Sequence, residues 1–224
     1  MKLLLFDIDG TLLHTHGLGR STVGDAMQAT LGRTVPTAHV SFSGKTDPQI
    51  FREILRTEVD ERALDEAVAT AVEAYEASVR TRIPEAQVTA LPGVRPLLDH
   101  LATTDLPLGL LTGNLQPMAY LKLGRVDLGG FFPFGAFGSD HEDRNALPEV
   151  AIARAEAHTG RCYEGRDVVV IGDTPRDIAC GKAAGTVTVA VATGRFDRDA
   201  LAAHEPDLLL DTLEEMDRLL DAVA

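Results

Sequence analysis

Hydrophobic positions along the chain fall into two alternating periodicities. Residues 3–6, Leu-Leu-Leu-Phe, form an unbroken apolar run. Such a run marks a parallel strand buried on both faces. Similar runs recur at 106–111 (Leu-Pro-Leu-Gly-Leu-Leu), at 167–172 (Asp-Val-Val-Val-Ile-Gly), at 187–191 and, briefly, near 207–210. From about 20 to 85 the spacing is helical instead. Val23, Met27 and Leu31 repeat every four residues. Ile50, Phe51, Ile54 and Leu55 form a second stripe, and Leu64, Ala67, Val68, Ala71, Val72, Tyr75 and Val79 a third. Asp47 as N-cap and Pro48 in the first turn would open the second helix. Further helices are expected after Leu91-Pro92-Gly93 (Val94, Leu97, Leu98, Leu101), at 116–124, and from Pro148 with Ile152, Ala153 and Ala155 inward. A last one carries Leu213, Met216, Leu219, Leu220 and Val223. Phe131, Phe132, Phe134 and Phe137 read as packing residues.

Strand–helix alternation predicts an α/β fold with a three-layer, Rossmann-like parallel sheet. The helical stretch is an insertion after the first strand. The expected division is a core of residues 1–16 and 90–224 and a helical domain of residues 17–89.

Polar residues gather where the apolar runs end. Asp7, Asp9, Gly10 and Thr11 follow the first run. Open α/β sheets do their chemistry at strand carboxyl ends. Asp7 and Asp9 are two apart and share a face if the strand stays regular. Two such acids call for a hard divalent cation such as Mg²⁺. The run 106–111 ends in Thr112-Gly113-Asn114, a hydroxyl with backbone N–H groups suited to a phosphate oxygen. The run 167–172 enters Gly172-Asp173-Thr174-Pro175-Arg176-Asp177, which puts Asp177 one helical turn from Asp173.

The string Phe6-Asp7-Ile8-Asp9-Gly10-Thr11-Leu12 resembles the first motif of the haloacid dehalogenase-like hydrolases. Thr112 matches their second motif and Asp173 with Asp177 their fourth. Arg144 stands near the place of the third, usually a Lys, with Lys122 and Arg176 as alternatives. The phosphoglycolate phosphatase-like group, with its helical cap, is the nearest resemblance. The resemblance implies Asp7 as a nucleophile that takes a phosphoryl group and Asp9 as general acid/base. It implies Mg²⁺ held by Asp7, the Asp9 backbone carbonyl and Asp173, with Asp177 binding the metal or its water. Thr112 and Arg144 would hold the phosphoryl charge, with Gly10, Thr11, Gly113 and Asn114 beside the substrate. In the cap stretch Gly44-Lys45-Thr46-Asp47, Lys45 would bind a remote carboxylate or second phosphate, or else lie in solvent. The activity implied is Mg²⁺-dependent hydrolysis of a small phosphorylated metabolite through an aspartyl-phosphate. A sugar-phosphate mutase and a non-catalytic binding protein are the alternatives.

Charge narrows the partners. The chain has 224 residues, 45% of them hydrophobic, with 21 basic against 34 acidic and a net charge of −13. A general nucleic-acid binder needs a basic surface, so that class is excluded. Two cysteines, Cys162 and Cys180, make no disulfide framework. No apolar run approaches the roughly 18 residues of a membrane span, and the start of the chain lacks a signal-peptide pattern. A cytoplasmic monomer or homodimer is expected. His14 and His16 read as solvated loop residues.

Overall fold

A computed structural model describes residues 1–223; Ala224 and the side chain of Val223 lie outside the described part. The first run is β1 (Leu3–Phe6). After it come β2 (Leu13–His14), α1 (Leu18–Leu31), α2 (Asp47–Leu55), α3 (Leu64–Arg82) and β3 (Thr89–Ala90). The chain continues through α4 (Val94–Leu101), β4 (Leu108–Leu111), α5 (Gln116–Gly124), β5 (Phe134–Ala136) and α6 (Leu147–Thr159). It ends with β6 (Val168–Gly172), α7 (Pro175–Ala183), β7 (Val187–Val191), α8 (Arg198–Ala202), β8 (Leu208–Leu210) and α9 (Met216–Val223).

Six strands form one parallel sheet in the order β5-β4-β1-β6-β7-β8. Leu4 of β1 pairs with Leu108 on one side and Val169 on the other. Strands are added outward on one side of β1 up to β5, then on the other from β6. The carboxyl end of β1 is therefore a topological switch point, where such sheets bind ligands.

The alternation of β1 explains why all four of its residues are apolar. Leu4 and Phe6 join one layer with Val94, Leu97 and Leu101 of α4 and Leu219 of α9. Leu3 and Leu5 join the opposite layer with Leu147, Ala151 and Ala155 along α6. Each such side chain contributes roughly 1.5–3 kcal/mol when fully buried, so a polar residue on either face of β1 would be costly. On α6 the buried stripe is Leu147, Ala151 and Ala155, while the expected Ala153 is exposed. A three-residue strand, β5, runs through the phenylalanine cluster. Phe134 opens it, while Phe132 and Phe137 pack in the α4 layer.

The helices α1–α3 bury a cluster of their own, including Val23, Met27, Phe51, Ile54, Val68, Tyr75 and Val79. Leu31, Ala67 and Val72 sit only partly buried at its rim. Leu115 and Met118, from the start of α5, belong to the same cluster, so the insertion is seated on the core through α5. The chain enters and leaves the insertion through β2 and β3, an antiparallel pair with Leu13 opposite Ala90.

One expectation at the insertion is corrected. The N-cap of α2 is Thr46, whose hydroxyl accepts the Gln49 N–H at 3.3 Å, and Asp47 is the first helical residue. Freed from capping, the Asp47 carboxylate crosses to α5 and accepts the Leu115 N–H at 3.0 Å. Among the described residues, no helix is long and apolar enough to cross a membrane.

Candidate active site

At the end of β1, Asp7 still donates its N–H to Ile171 of β6 at 2.9 Å. The chain then turns sharply at Gly10, where φ is +89°. A Cβ there would lie 2.4 Å from Asp173 Oδ2. The turn therefore needs glycine both for its left-handed backbone and for the carboxylate it packs against. The Thr11 hydroxyl, fully buried, donates to Asp173 Oδ1 at 3.2 Å.

Asp7, Asp173 and Asp177 each bring a carboxylate oxygen within 4.8 Å of the others, and all three are buried. Asp177 is held from three sides. Its Oδ2 accepts the Thr174 N–H at 2.9 Å and the Thr174 hydroxyl at 2.7 Å, closing a capping box at the start of α7. Its Oδ1 accepts from Arg144. Behind it, a Cβ on Gly172 would lie 2.2 Å from the Asp177 carboxyl carbon.

Arg144 is itself buried. Among the described residues it is the one cation paired with this triad: Nη2 bonds Asp177 Oδ1 and lies 3.4 Å from Asp7 Oδ1. The same nitrogen donates to the Leu111 carbonyl at 3.2 Å, and Nη1 donates to Gly44 of the insertion at 3.3 Å. Its Nε has no partner. Burial works against its charge, but Asp177 and Asp7 outweigh that and raise its pKa further.

Three buried carboxylates thus face one guanidinium. Burial pushes Asp7 up to about 6, with Arg144 opposing and Asp177 adding to the rise. Burial, then Asp177 and Asp7, pushes Asp173 well above its ordinary value. This is uncompensated negative charge on hard oxygen donors, and a divalent cation such as Mg²⁺ fits it. Cys180, under the site, donates its thiol to the Arg144 carbonyl at 3.3 Å. Burial pushes that thiol up to about 12, so it stays protonated.

Asp9 stands in a different setting. Its Oδ2 accepts from Lys122 Nζ at 2.7 Å and from Asn114 Nδ2 at 2.8 Å. Asn114 Oδ1 takes a second bond from Lys122, and Asn114 Nδ2 also donates to Thr112 Oγ1 at 2.8 Å. The Thr112 oxygen is used as an acceptor, so its proton is free to be donated to another group in the cleft. Gly113 lets the insertion approach: a Cβ there would lie 2.0 Å from the Lys45 carbonyl. Its own carbonyl accepts the Asp47 N–H at 2.8 Å.

These groups share one cleft of about 530 Å³. Asp7, Asp9, Gly10, Thr112, Gly113, Asn114, Arg144 and Asp173 line it from the core; Lys45, Asp47, Ile50 and Tyr75 line it from the insertion. Thr11 and Asp177 do not line it; Thr11 bonds Asp173, and Asp177 bonds Arg144. The Lys45 ammonium is paired with Glu53 of α2. Arg176 is exposed and outside the cleft, whereas Lys122 is inside it but on Asp9 rather than Asp7. His14 is exposed at the mouth, its ring against that of His16. Gly44, Lys45 and Asp47 of the cap stretch do line the cleft; sequence reasoning missed Tyr75, the Asp47 bond to Leu115 and the pairing of Lys122. One signal was available, since Lys122 interrupts the apolar stretch Met118-Ala119-Tyr120-Leu121-Lys122-Leu123.

Residues 4–191 match the model of the Haloacid dehalogenase-like hydrolase family. The chain belongs to that family. As a haloacid dehalogenase-like hydrolase it is an enzyme, and curated relatives of it are named as phosphatases. It is 27% identical over 220 residues to a phosphoglycolate phosphatase of Pseudomonas syringae pv. tomato, covering 96% of this chain and 78% of that one. It is also 27% identical over 220 residues to the pyrophosphatase PpaX of Anoxybacillus flavithermus, covering 95% and 94%. Its fold is shared with a putative beta-phosphoglucomutase from Thermotoga maritima, at a TM-score of 0.64 and 20% identity over the whole of both chains. The two relatives carry differently named activities and the fold neighbour a third, a mutase, so substrate has to be argued from the cleft.

Proposed function

We propose that this hydrolase cleaves the phosphomonoester of a small anionic metabolite, using Mg²⁺ and a phosphorylated Asp7. The observation that carries the reading is the contrast at the end of β1. Asp7 lies in a carboxylate triad beside Arg144, while Asp9, two residues on, is hydrogen-bonded and open to the cleft.

Asp7 attacks phosphorus in line, and the bond to the leaving oxygen breaks. Asp9 gives that oxygen a proton, then takes one from the water that attacks the aspartyl-phosphate. The Thr112 hydroxyl and Arg144 stabilise charge on the phosphoryl oxygens. Asp7 and Asp173 would hold Mg²⁺ with the Asp9 backbone carbonyl, and Asp177 would hold its water. Bound there, the metal would supply Lewis-acid screening of the phosphoryl group. Residues 17–89 act as a cap over the core of 1–16 and 90–224, hinged at β2 and β3. Lys45, on the cap wall of the cleft, meets the end of the substrate remote from phosphorus.

A phosphate-release screen over phosphorylated metabolites with Mg²⁺ tests this. Free phosphate from at least one of them, lost in Asp7→Asn, supports it. Isomerisation of a phosphorylated hexose without free phosphate would assign a mutase instead, and silence over the whole panel would overturn the catalytic reading.

A further inference from the structure

Lys122 carries a buried charge that the chemistry above does not use. It lies on α5 among buried Met118, Ala119 and Leu123, and its side chain is 4% exposed. An ammonium kept from water has to be paired and hydrogen-bonded. Its pairing is one-sided: Nζ donates to Asp9 Oδ2 and to Asn114 Oδ1, and the Asn114 amide donates to that same Asp9 oxygen. Two N–H donors from two structural elements converge on Oδ2. Among the described residues no hydrogen bond reaches Oδ1, although Asp9 lines the cleft with its side chain 40% exposed.

We infer that Lys122 is a positioning residue for proton transfer, fixing Asp9 by Oδ2 so that Oδ1 alone carries the shuttled proton. The inference rests on the acid/base reading of Asp9. A carboxylate oxygen that accepts two N–H bonds has both lone-pair sites occupied, so the proton belongs on the other oxygen. In the first half, the O–H at Oδ1 gives its proton to the leaving oxygen as the P–O bond breaks. The bonding pair of that O–H stays on Asp9. In the second half, Oδ1 takes a proton from water as the water oxygen bonds to phosphorus and the bond to Asp7 breaks. The Asp9 plane is held by Lys122 and Asn114 throughout, because both donors serve Oδ2 in either protonation state.

The test compares kcat/KM on a primary alkyl phosphate and on 4-nitrophenyl phosphate, with Mg²⁺ present. An alkoxide needs a proton to leave, and nitrophenolate does not. Lys122→Met should lose about 10² on the alkyl ester and less than about fivefold on the aryl ester. Lys122→Arg should restore part of the alkyl loss. In an Asp9→Asn background, adding Lys122→Met should change neither substrate by more than about threefold, because the group it positions no longer shuttles protons. Equal losses on both esters, or the same loss in the Asp9→Asn background, would overturn the inference and place Lys122 on the Asn114–Thr112 phosphoryl side. No loss would overturn it outright. If Lys122→Met does not fold, Lys122→Gln is read by the same comparison. Asp9→Asn matching the parent on the alkyl ester would instead overturn the acid/base reading itself.

Discussion

Asp7 and Asp9 are the same residue type two positions apart, yet they sit in opposite electrostatic settings. Around Asp7 negative charge is in excess, with three buried carboxylates on one guanidinium. Asp9 instead has a cation bonded directly to it, its Oδ2 accepting from one ammonium and one amide. The first setting invites a cation and an electrophile. The second holds one carboxylate oxygen and leaves Asp9 open to the cleft. Chemical role here follows the counter-charges supplied by α5, α7 and the loop before α6, rather than the aspartates themselves.

The largest effect should come from removing the charge on the crowded side. Asp7→Asn keeps the shape and loses the nucleophile, so turnover should fall at least about 10³-fold, or ~4 kcal/mol of transition-state stabilisation. Steady-state phosphate release measures it; activity within tenfold of the parent would dissolve the contrast. Next comes the cation. Excess EDTA should abolish turnover and Mg²⁺ restore it, and Asp173→Ala should raise the Mg²⁺ concentration needed without lowering the folded fraction by circular dichroism. Arg144→Ala should lower kcat by about 10–10² and also raise KM, since its contact strengthens as charge develops, with Arg144→Lys recovering part.

A smaller effect, in stability, separates the two aspartates by sign. Asp7 titrates at about 6 in the folded chain against 3.8 as an ordinary carboxylate. The folded state therefore binds the proton more tightly. Its contribution is favourable at low pH and is lost as pH rises from about 4 to about 6. In chelator, Asp7→Asn should raise stability at pH 7 by ~1–3 kcal/mol and flatten that slope. Asp9→Asn should lower stability, because Lys122 loses an anionic partner. Urea unfolding at pH 4 and pH 7 reads both; the same sign for both variants would erase the distinction. Smallest is Lys45→Ala, which should cut kcat/KM about tenfold for an anionic metabolite and leave 4-nitrophenyl phosphate nearly unchanged. Equal changes on both substrates would remove Lys45 from recognition.

The core was legible because β1, β4, β6 and β7 are buried on both faces, and continuous apolar runs have few other readings. β2, β3 and β5 were not: β2 and β3 are two residues long with exposed positions, and the three residues of β5 lie in a Phe-, Gly- and Pro-rich stretch that reads as loop packing. Asp7 and Asp173 could be named in advance because they follow apolar runs, and Arg144 only because it stands near the place of the third motif in the family the chain resembles; the fold brings them together. Lys122 could only be named as an alternative cation, because which carboxylate it meets depends on how α5 packs. Asp47 was misread as a cap for a related reason. Thr46 caps equally well, and only the docking of the insertion on α5 shows where the spare carboxylate goes.

That docking has a consequence for any attempt to shorten or transplant parts of this enzyme. Leu115 and Met118 are counted among the insertion's apolar residues although they belong to the core chain. Among the described residues, the Leu115 amide and Gly113 carbonyl are bonded by Asp47. A version trimmed of residues 17–89 would bare a greasy patch and two unsatisfied backbone groups beside the cleft, and should precipitate rather than work slowly. A graft from another hydrolase would need to bring a matching seat for α5, so the swappable unit is the insertion together with residues 113–122.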